Sequence, residues 1–188
     1  MAGLIGGNGI KRVVQCGHYV GFSSLMFGFL MRSMGQQCSV YSVDIDQSVT
    51  DYTNSWLDRA ELTKYVKLAV NDSAAANNVS DAAAWLGGAP QMVLIDSSHQ
   101  YAHTLRELDL WYDHLAPGGF LLMHDVSIFA QQYDADKAGG VMSAVNEWCQ
   151  RRQIQPMLIN RFAQDGIDAN DLVYKDGCGM GIIQKSWS

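Results

Sequence analysis

Residues 92–126, MVLIDSSHQYAHTLRELDLWYDHLAPGGFLLMHDV, constrain the fold more than any other stretch of the chain. An apolar run, Met92-Val93-Leu94-Ile95, stops at Asp96, and a second, Phe120-Leu121-Leu122-Met123, stops at His124-Asp125. Between them Tyr101, Leu105, Leu108, Tyr112 and Leu115 recur at the spacing of a helix with one buried face. Pro117-Gly118-Gly119 ends that segment with turn chemistry. Strand, helix, strand of this length is a βαβ unit, whose crossover makes the two strands parallel. Polar groups at the carboxyl ends of parallel strands face the crevice where open α/β sheets bind ligands. Asp96, His99, His124 and Asp125 are thereby candidates for a single site.

The flanking sequence repeats the pattern. Val13-Val14-Gln15-Cys16 reads as a short buried strand, followed by a loop from Gly17 to Gly21. Phe22, Leu25, Met26, Phe29 and Leu30 mark one face of a helix over 22–34. A second strand over 39–43 ends at Asp44, and Val49, Tyr52 and Trp56 continue at helical spacing. A third strand over 65–70 ends at Asn71-Asp72-Ser73, and a short helix includes 82–86 with Ser80 or Asp81 as its cap. After a polar loop over 127–138, Val141, Ala144, Val145 and Trp148 predict another helix. Met157-Leu158-Ile159 is a sixth strand, and 174–184, interrupted by Gly177, Gly179 and Gly181, is a seventh that lies close to a hairpin with it. Residues 1–11 are glycine-rich and read as irregular. Five β-then-α units and a final strand pair predict a three-layer αβα sandwich.

Composition narrows the class. A chain of 188 residues with 48% hydrophobic side chains is expected to form one globular domain over 1–188. A formal net charge of -6 argues against a general nucleic-acid or anionic-membrane binder. No apolar run approaches the roughly 18–20 residues that span a bilayer. Lys11 and Arg12 follow the apolar part of the N-terminus, the reverse of a signal peptide. Cys16, Cys38, Cys149 and Cys178 form no CxxC pair and read as free thiols of a reducing, cytoplasmic compartment.

Each candidate residue has a plainer reading beside the functional one. Gly17 and Gly21 let a backbone turn sharply and approach a ligand closely, or they serve a structural turn. Their spacing, G-x-x-x-G, is not the G-x-G-x-x-G of dinucleotide sites and counts against an NAD-type oxidoreductase. Asp44 is placed to accept ribose hydroxyls, with Asp46 as a competitor. Asp72 either binds the edge of an adenine amine or caps a helix. Asp96 and Asp125 would together suit a hard divalent cation such as magnesium. His124 would shift the preference toward manganese, iron or zinc, provided it does not point to the opposite face from Asp125. The plainer role of Asp96 is the N-cap of the following helix. His99 is placed to act as a general base near neutral pH. His103 and His114 read as solvent-facing helical positions; Tyr19, Trp85 and Trp111 read as packing residues, and Cys16 as a small core residue.

Four stretches, VVQCGHYVGFSS, VYSVDID, VNDS with the 92–126 block, and GCGMGIIQ, occur in an order that resembles the class I S-adenosylmethionine-dependent methyltransferases. The likeness is greatest to the small O-methyltransferases of the macrocin O-methyltransferase and cephalosporin-hydroxylase-like group. The resemblance implies a Rossmann-like, mostly parallel seven-stranded sheet in the order 3-2-1-4-5-7-6 with the last strand antiparallel. It implies that Gly17, His18, Tyr19, Gly21 and Ser23 hold the methionine part of S-adenosyl-L-methionine. Asp44 with Ile45 would take the ribose, Asp72 with Ser73 the adenine edge, and Asp96 would border the same pocket. Asp96, His124 and Asp125 would hold a divalent metal such as magnesium, and His99 and Asp96 would carry the chemistry.

Three departures qualify it. Gln15 stands where an acid usually ends the first strand; His124-Asp125 stands where two consecutive acids are common; and the chain reaches its first strand almost at once, where relatives often place a helical segment over the substrate. The last departure predicts an open site, a lid from 127–138 or a partner subunit, which a homodimer would supply. The expected function is methyl transfer to a hydroxyl of a small molecule or sugar, with no nucleic-acid or membrane partner. Its rivals are a non-catalytic cofactor-binding subunit of the same fold and an NAD-type oxidoreductase.

Overall fold

The computed structural model describes residues 1–160 and 177–187. In chain order the elements are α1 (Ala2–Asn8), β1 (Val13–Cys16), α2 (Phe22–Ser33), β2 (Val40–Asp44), α3 (Gln47–Arg59), β3 (Val66–Val70), α4 (Asn77–Leu86), β4 (Met92–Ile95), α5 (Tyr101–His114), β5 (Phe120–His124), a 3₁₀ turn (Phe129–Tyr133), α6 (Gly140–Arg152), β6 (Met157–Ile159) and β7 (Met180–Gln184). The strands form one seven-stranded sheet in the order β3-β2-β1-β4-β5-β7-β6. β1 to β5 are mutually parallel, and β7 runs antiparallel to both of its neighbours, β5 and β6. This is the expected αβα sandwich.

Central strands carry continuous apolar runs because helices cover both of their faces. All four residues of β1 and of β4 are buried. Alternation along β1 sends Val13 to one side and Val14 and Cys16 to the other. Val13 joins Ile5, Phe27, Met31 and Leu57 beneath α1, α2 and α3. Val14 and Cys16 join Leu108, Trp111 and Trp148 beneath α5 and α6. The C-terminal turn of α5 is tied to the sheet by Lys185, whose Nζ donates to the carbonyls of Tyr112, Asp113 and Leu115.

Two expectations need correction. The first residues are not irregular: α1 forms despite its glycines, ends at a left-handed Gly9 (φ 64°), and buries Ile5 completely. Glycine lowers intrinsic helicity, but burying Ile5 and Ile10 in the core outweighs it. Likewise α4 begins at Asn77, three residues before Ser80, and its Ala76 cap makes no side-chain hydrogen bond. Part of the seventh strand's expected range, 174–176, lies outside the described residues. Among those described, no helix is long and apolar enough to cross a membrane.

Candidate functional site

The turn after β1 passes directly under the end of β4. Gly17 has φ 83°, and a Cβ there would overlap the Asp96 carbonyl oxygen, so only glycine fits. Asp44, at the end of β2, holds the turn from the other side. Its Oδ2 accepts the amides of His18 (3.0 Å) and Tyr19 (2.9 Å), and its Oδ1 accepts the amide of Asp46 (3.1 Å). Three amides thus occupy most of its roughly four acceptor positions. Asp46 caps α3, its Oδ1 accepting the amides of Ser48 and Val49.

Beneath the turn runs a buried polar chain. Gln15 donates from Nε2 to the Gly17 carbonyl (2.9 Å) and to Ser23 Oγ (2.6 Å), and its Oε1 accepts from Ser24 Oγ (2.9 Å). The His18 ring lies between Ser42 Oγ (3.2 Å) and Thr50 Oγ1 (2.9 Å). Burial lowers its pKa, with Asp44 opposing the shift. Ser23 and His18 therefore brace the turn through their side chains. Tyr19 is not a packing residue: it is 71% exposed, with a left-handed backbone (φ 43°), at the edge of the cavity. Ile45 is exposed there too.

The end of β3 meets α5. Asp72 Oδ1 accepts the Ala74 amide (2.9 Å) and contacts His103 Nε2 (2.8 Å), while Arg106 approaches Oδ2 at 3.7 Å. Asp72 thus shapes the turn before α4 and also pairs with α5. Burial raises its pKa, but the Ala74 amide and His103 together bring it below the usual carboxylate range. His103 is not solvent-facing. Its Nδ1 lies 3.2 Å from Oε2 of Glu107, a carboxylate with no exposed surface. Ser73 borders the cavity, and its Oγ donates to Glu107 Oε1 (2.5 Å).

At the ends of β4 and β5 the four expected groups do converge. His99 Nε2 lies 3.1 Å from Asp125 Oδ2 and 3.8 Å from Asp96 Oδ1. His124 Nδ1 lies 3.4 Å from Asp96 Oδ1 and 3.1 Å from Asp125 Oδ2. Strand alternation would separate His124 from Asp125, but the strand ends at His124 and Asp125 takes a left-handed conformation (φ 63°) that brings the two together. His99 is left-handed as well (φ 60°). Asp96 is not the cap of α5, a position held by Gln100. Burial pushes the Asp96 carboxyl up, yet His124 and His99 outweigh it and hold it well below the usual carboxylate range. Hydrogen bonding to Asp96 raises the His99 imidazole against the opposing effect of burial, and Asp125 adds to the rise.

The segment 127–138 is ordered against this cluster. Tyr133 packs its ring on His99 at a centroid distance of 5.7 Å. Gln100 fastens the same segment, donating to the Tyr133 carbonyl (3.0 Å) and accepting the Ala135 amide (2.8 Å).

One cavity of about 960 Å³ joins all three regions, bordered by Gly17, Asp44, Asp72, Asp96, His99 and His124. Ligand atoms of Asp96, His124 and Asp125 lie within 4.8 Å of one another. Two carboxylates and an imidazole suit manganese, iron or zinc as well as magnesium. Sequence reasoning missed His103, Arg106 and Glu107. The signal available was the i, i+4 spacing of His103 and Glu107 on a helix that crosses the strand ends.

A sheet in the order 3-2-1-4-5-7-6, with its one reversed strand inside the edge and a cavity at the switch point between β1 and β4, defines a class I, S-adenosylmethionine-dependent methyltransferase-fold enzyme. Residues 14–126 match the family described as "Methyltransferase domain", and the chain belongs to that family. No curated protein matches the sequence. Among solved structures it is similar to the O-methyltransferase TomG from Streptomyces achromogenes, involved in tomaymycin synthesis and solved with SAM (TM-score 0.69, 15% identity, covering 98% of this chain and 77% of that one). It is also similar to an O-methyltransferase from Bacillus cereus in complex with SAH (TM-score 0.68, 14% identity, 98% and 78% covered). A third likeness is to an rRNA methylase from Streptococcus thermophilus (TM-score 0.61, 14% identity, 94% and 87% covered).

Proposed function

We propose that the chain, as one domain over 1–188, transfers the methyl group of S-adenosylmethionine to a hydroxyl oxygen of a small molecule or sugar. The observation that carries this reading is the single cavity with the glycine turn, Asp44 and Asp72 at one end and the Asp96–His99–His124–Asp125 cluster at the other. Gly17 lets the turn after β1 pack against the Asp96 carbonyl and so sit at the cavity edge, where it would contact the methionine part. Asp44 would take the ribose through its remaining acceptor position, and Asp72 would meet the adenine edge. Bound S-adenosylmethionine supplies an electrophilic methyl group, so the protein's task is alignment and proton removal.

His99 takes the proton of the acceptor hydroxyl on Nδ1, the ring nitrogen that is not directed at Asp125 and Asp96. Asp125 and Asp96 stabilise the imidazolium that results, and Tyr133 holds the ring's plane. Asp96, His124 and Asp125 fit a divalent cation, which when bound would lower the acceptor's pKa and orient it. An acidic chain and an acid-lined cavity favour a neutral small molecule over RNA as acceptor.

The test is calorimetric titration with S-adenosylhomocysteine and with NAD, followed by a hydroxyl-compound and RNA panel with labelled S-adenosylmethionine. Micromolar binding of S-adenosylhomocysteine, none of NAD, and O-methylation of a small hydroxyl compound are expected. Tight NAD binding would favour the oxidoreductase, and cofactor binding without any methylation would favour a non-catalytic subunit.

A further inference from the structure

Glu107 is a carboxylate with no solvent exposure, in the first half of a helix whose other polar groups mostly face outward. Burying such a group is costly unless it is paired and hydrogen-bonded. Its partners come from three places. Ser73, just past β3, donates to Oε1. Ser97, next to Asp96 after β4, contacts both oxygens at 2.8 Å. His103, one turn earlier on α5, brings Nδ1 to 3.2 Å of Oε2. The other edge of the same imidazole reaches Asp72 Oδ1 at 2.8 Å. A continuous relay, Asp72–His103–Glu107–Ser97, thus ties the two loops that flank the nucleoside end of the cavity.

We propose that Glu107 and His103 are positioning residues for that end of the site, fixing Asp72, Ser73 and Ser97 in the register that cofactor binding requires. This rests on the reading of the cavity as an S-adenosylmethionine site. His103 Nε2 hydrogen-bonds Asp72, whereas Nδ1 meets Glu107 at ion-pair distance without hydrogen-bond geometry, so an imidazolium is the form that both carboxylates favour. Among the described residues its charged and titratable surroundings are few: Glu107 and Arg106 from α5, Asp72 from the loop after β3, and the buried Cys16 thiol of β1 beside Glu107. The β4 loop contributes only the uncharged Ser97. Loss of the proton leaves an imidazole lone pair facing one of the carboxylates, which loosens Asp72 or Glu107. The adjacent Glu107 carboxylate raises the His103 pKa against the opposing effect of burial, with Asp72 adding to the rise.

The experiment is the affinity of the full chain for S-adenosylhomocysteine by calorimetry from pH 5.5 to 9, for wild type, Glu107→Gln and His103→Gln. The His103 ring proton is followed by NMR in parallel. Expected are a wild-type affinity that falls as His103 deprotonates, a loss on the order of tenfold in both variants at pH 6.5, and a flat profile in His103→Gln. Glu107→Gln should move the His103 titration to lower pH. A merely structural role would lower thermal stability without moving the pH profile. Wild-type binding with unchanged variants, or a wild-type profile that is flat while His103 titrates, overturns this inference alone. That second measurement needs no variant, so it stands even if Glu107→Gln does not fold. Absence of any wild-type binding overturns the functional reading and this inference with it.

Discussion

His99 turns its Nε2 onto Asp125 Oδ2 at 3.1 Å, so an imidazole on the loop after β4 is held by an acid that follows β5. Asp125 is almost fully buried while the His99 side chain is 35% exposed and lines the cavity. In the proposed mechanism the proton would therefore be taken on the other ring nitrogen, with Asp125 orienting the ring.

Replacing Asp125 with Asn should leave the imidazole without its orienting charge and remove one candidate metal ligand. Methyl transfer should drop roughly 10²–10⁴-fold in kcat/KM. Binding of S-adenosylhomocysteine should change little, because Asp125 does not border the nucleoside end. Steady-state kinetics alongside calorimetry would check the split. Equal losses in both would remove Asp125 from the chemistry and make it a folding residue.

Gly17→Ala meets both a left-handed backbone and the Asp96 carbonyl. The cost should be at least about 2 kcal/mol, read as a lower urea midpoint. Relief of the overlap requires the β1 and β4 ends to part, so S-adenosylhomocysteine binding should be lost even below the unfolding temperature.

Gln15→Leu should destabilise by about 2 kcal/mol, since the Gly17 carbonyl and the hydroxyls of Ser23 and Ser24 lose a buried partner. Gln15→Glu is the sharper comparison. A carboxylate there would face the Gly17 carbonyl with no proton to donate. Chemical denaturation of both variants tests whether the amide is needed as a donor. A Gln15→Glu protein as stable as wild type would show that it is not.

His103 makes stability depend on pH in a direction opposite to that of a paired carboxylate. Its folded pKa lies above the unfolded value of about 6.5. The stability it lends is therefore complete below that value and is lost as pH rises through the folded pKa. Urea midpoints between pH 6 and 9 should decline more in wild type than in His103→Gln. A steeper decline in the variant would reverse the assignment.

The strands were legible because buried parallel strands leave short, mostly apolar runs, two of which end in an acid: Asp44 after Val40-Tyr41-Ser42-Val43 and Asp96 after Met92-Val93-Leu94-Ile95, while their order came from the family resemblance. The meeting of His124 with Asp125 was not legible. It depends on a backbone reversal at a non-glycine residue, which residue types do not announce. The Glu107 relay stayed hidden for a different reason. Helical periodicity identifies the apolar face of α5, and Glu107 lies beside Leu108 on that buried side, where a charged residue reads as exposed until the serines that meet it are known. α1 escaped notice because its glycines argue against a helix locally while its isoleucines are held tertiarily.

The left-handed backbones of His99 and Asp125 carry a consequence for how such a protein would respond to selection for heat tolerance. Glycine or asparagine at either position would relax the chain and add stability. Each such gain would remove the imidazole or the carboxylate that the strain holds in place. Variants enriched by heating alone should therefore accumulate changes at these two sites first and lose turnover as they do so, whereas variants enriched by activity should keep both residues and gain their stability elsewhere.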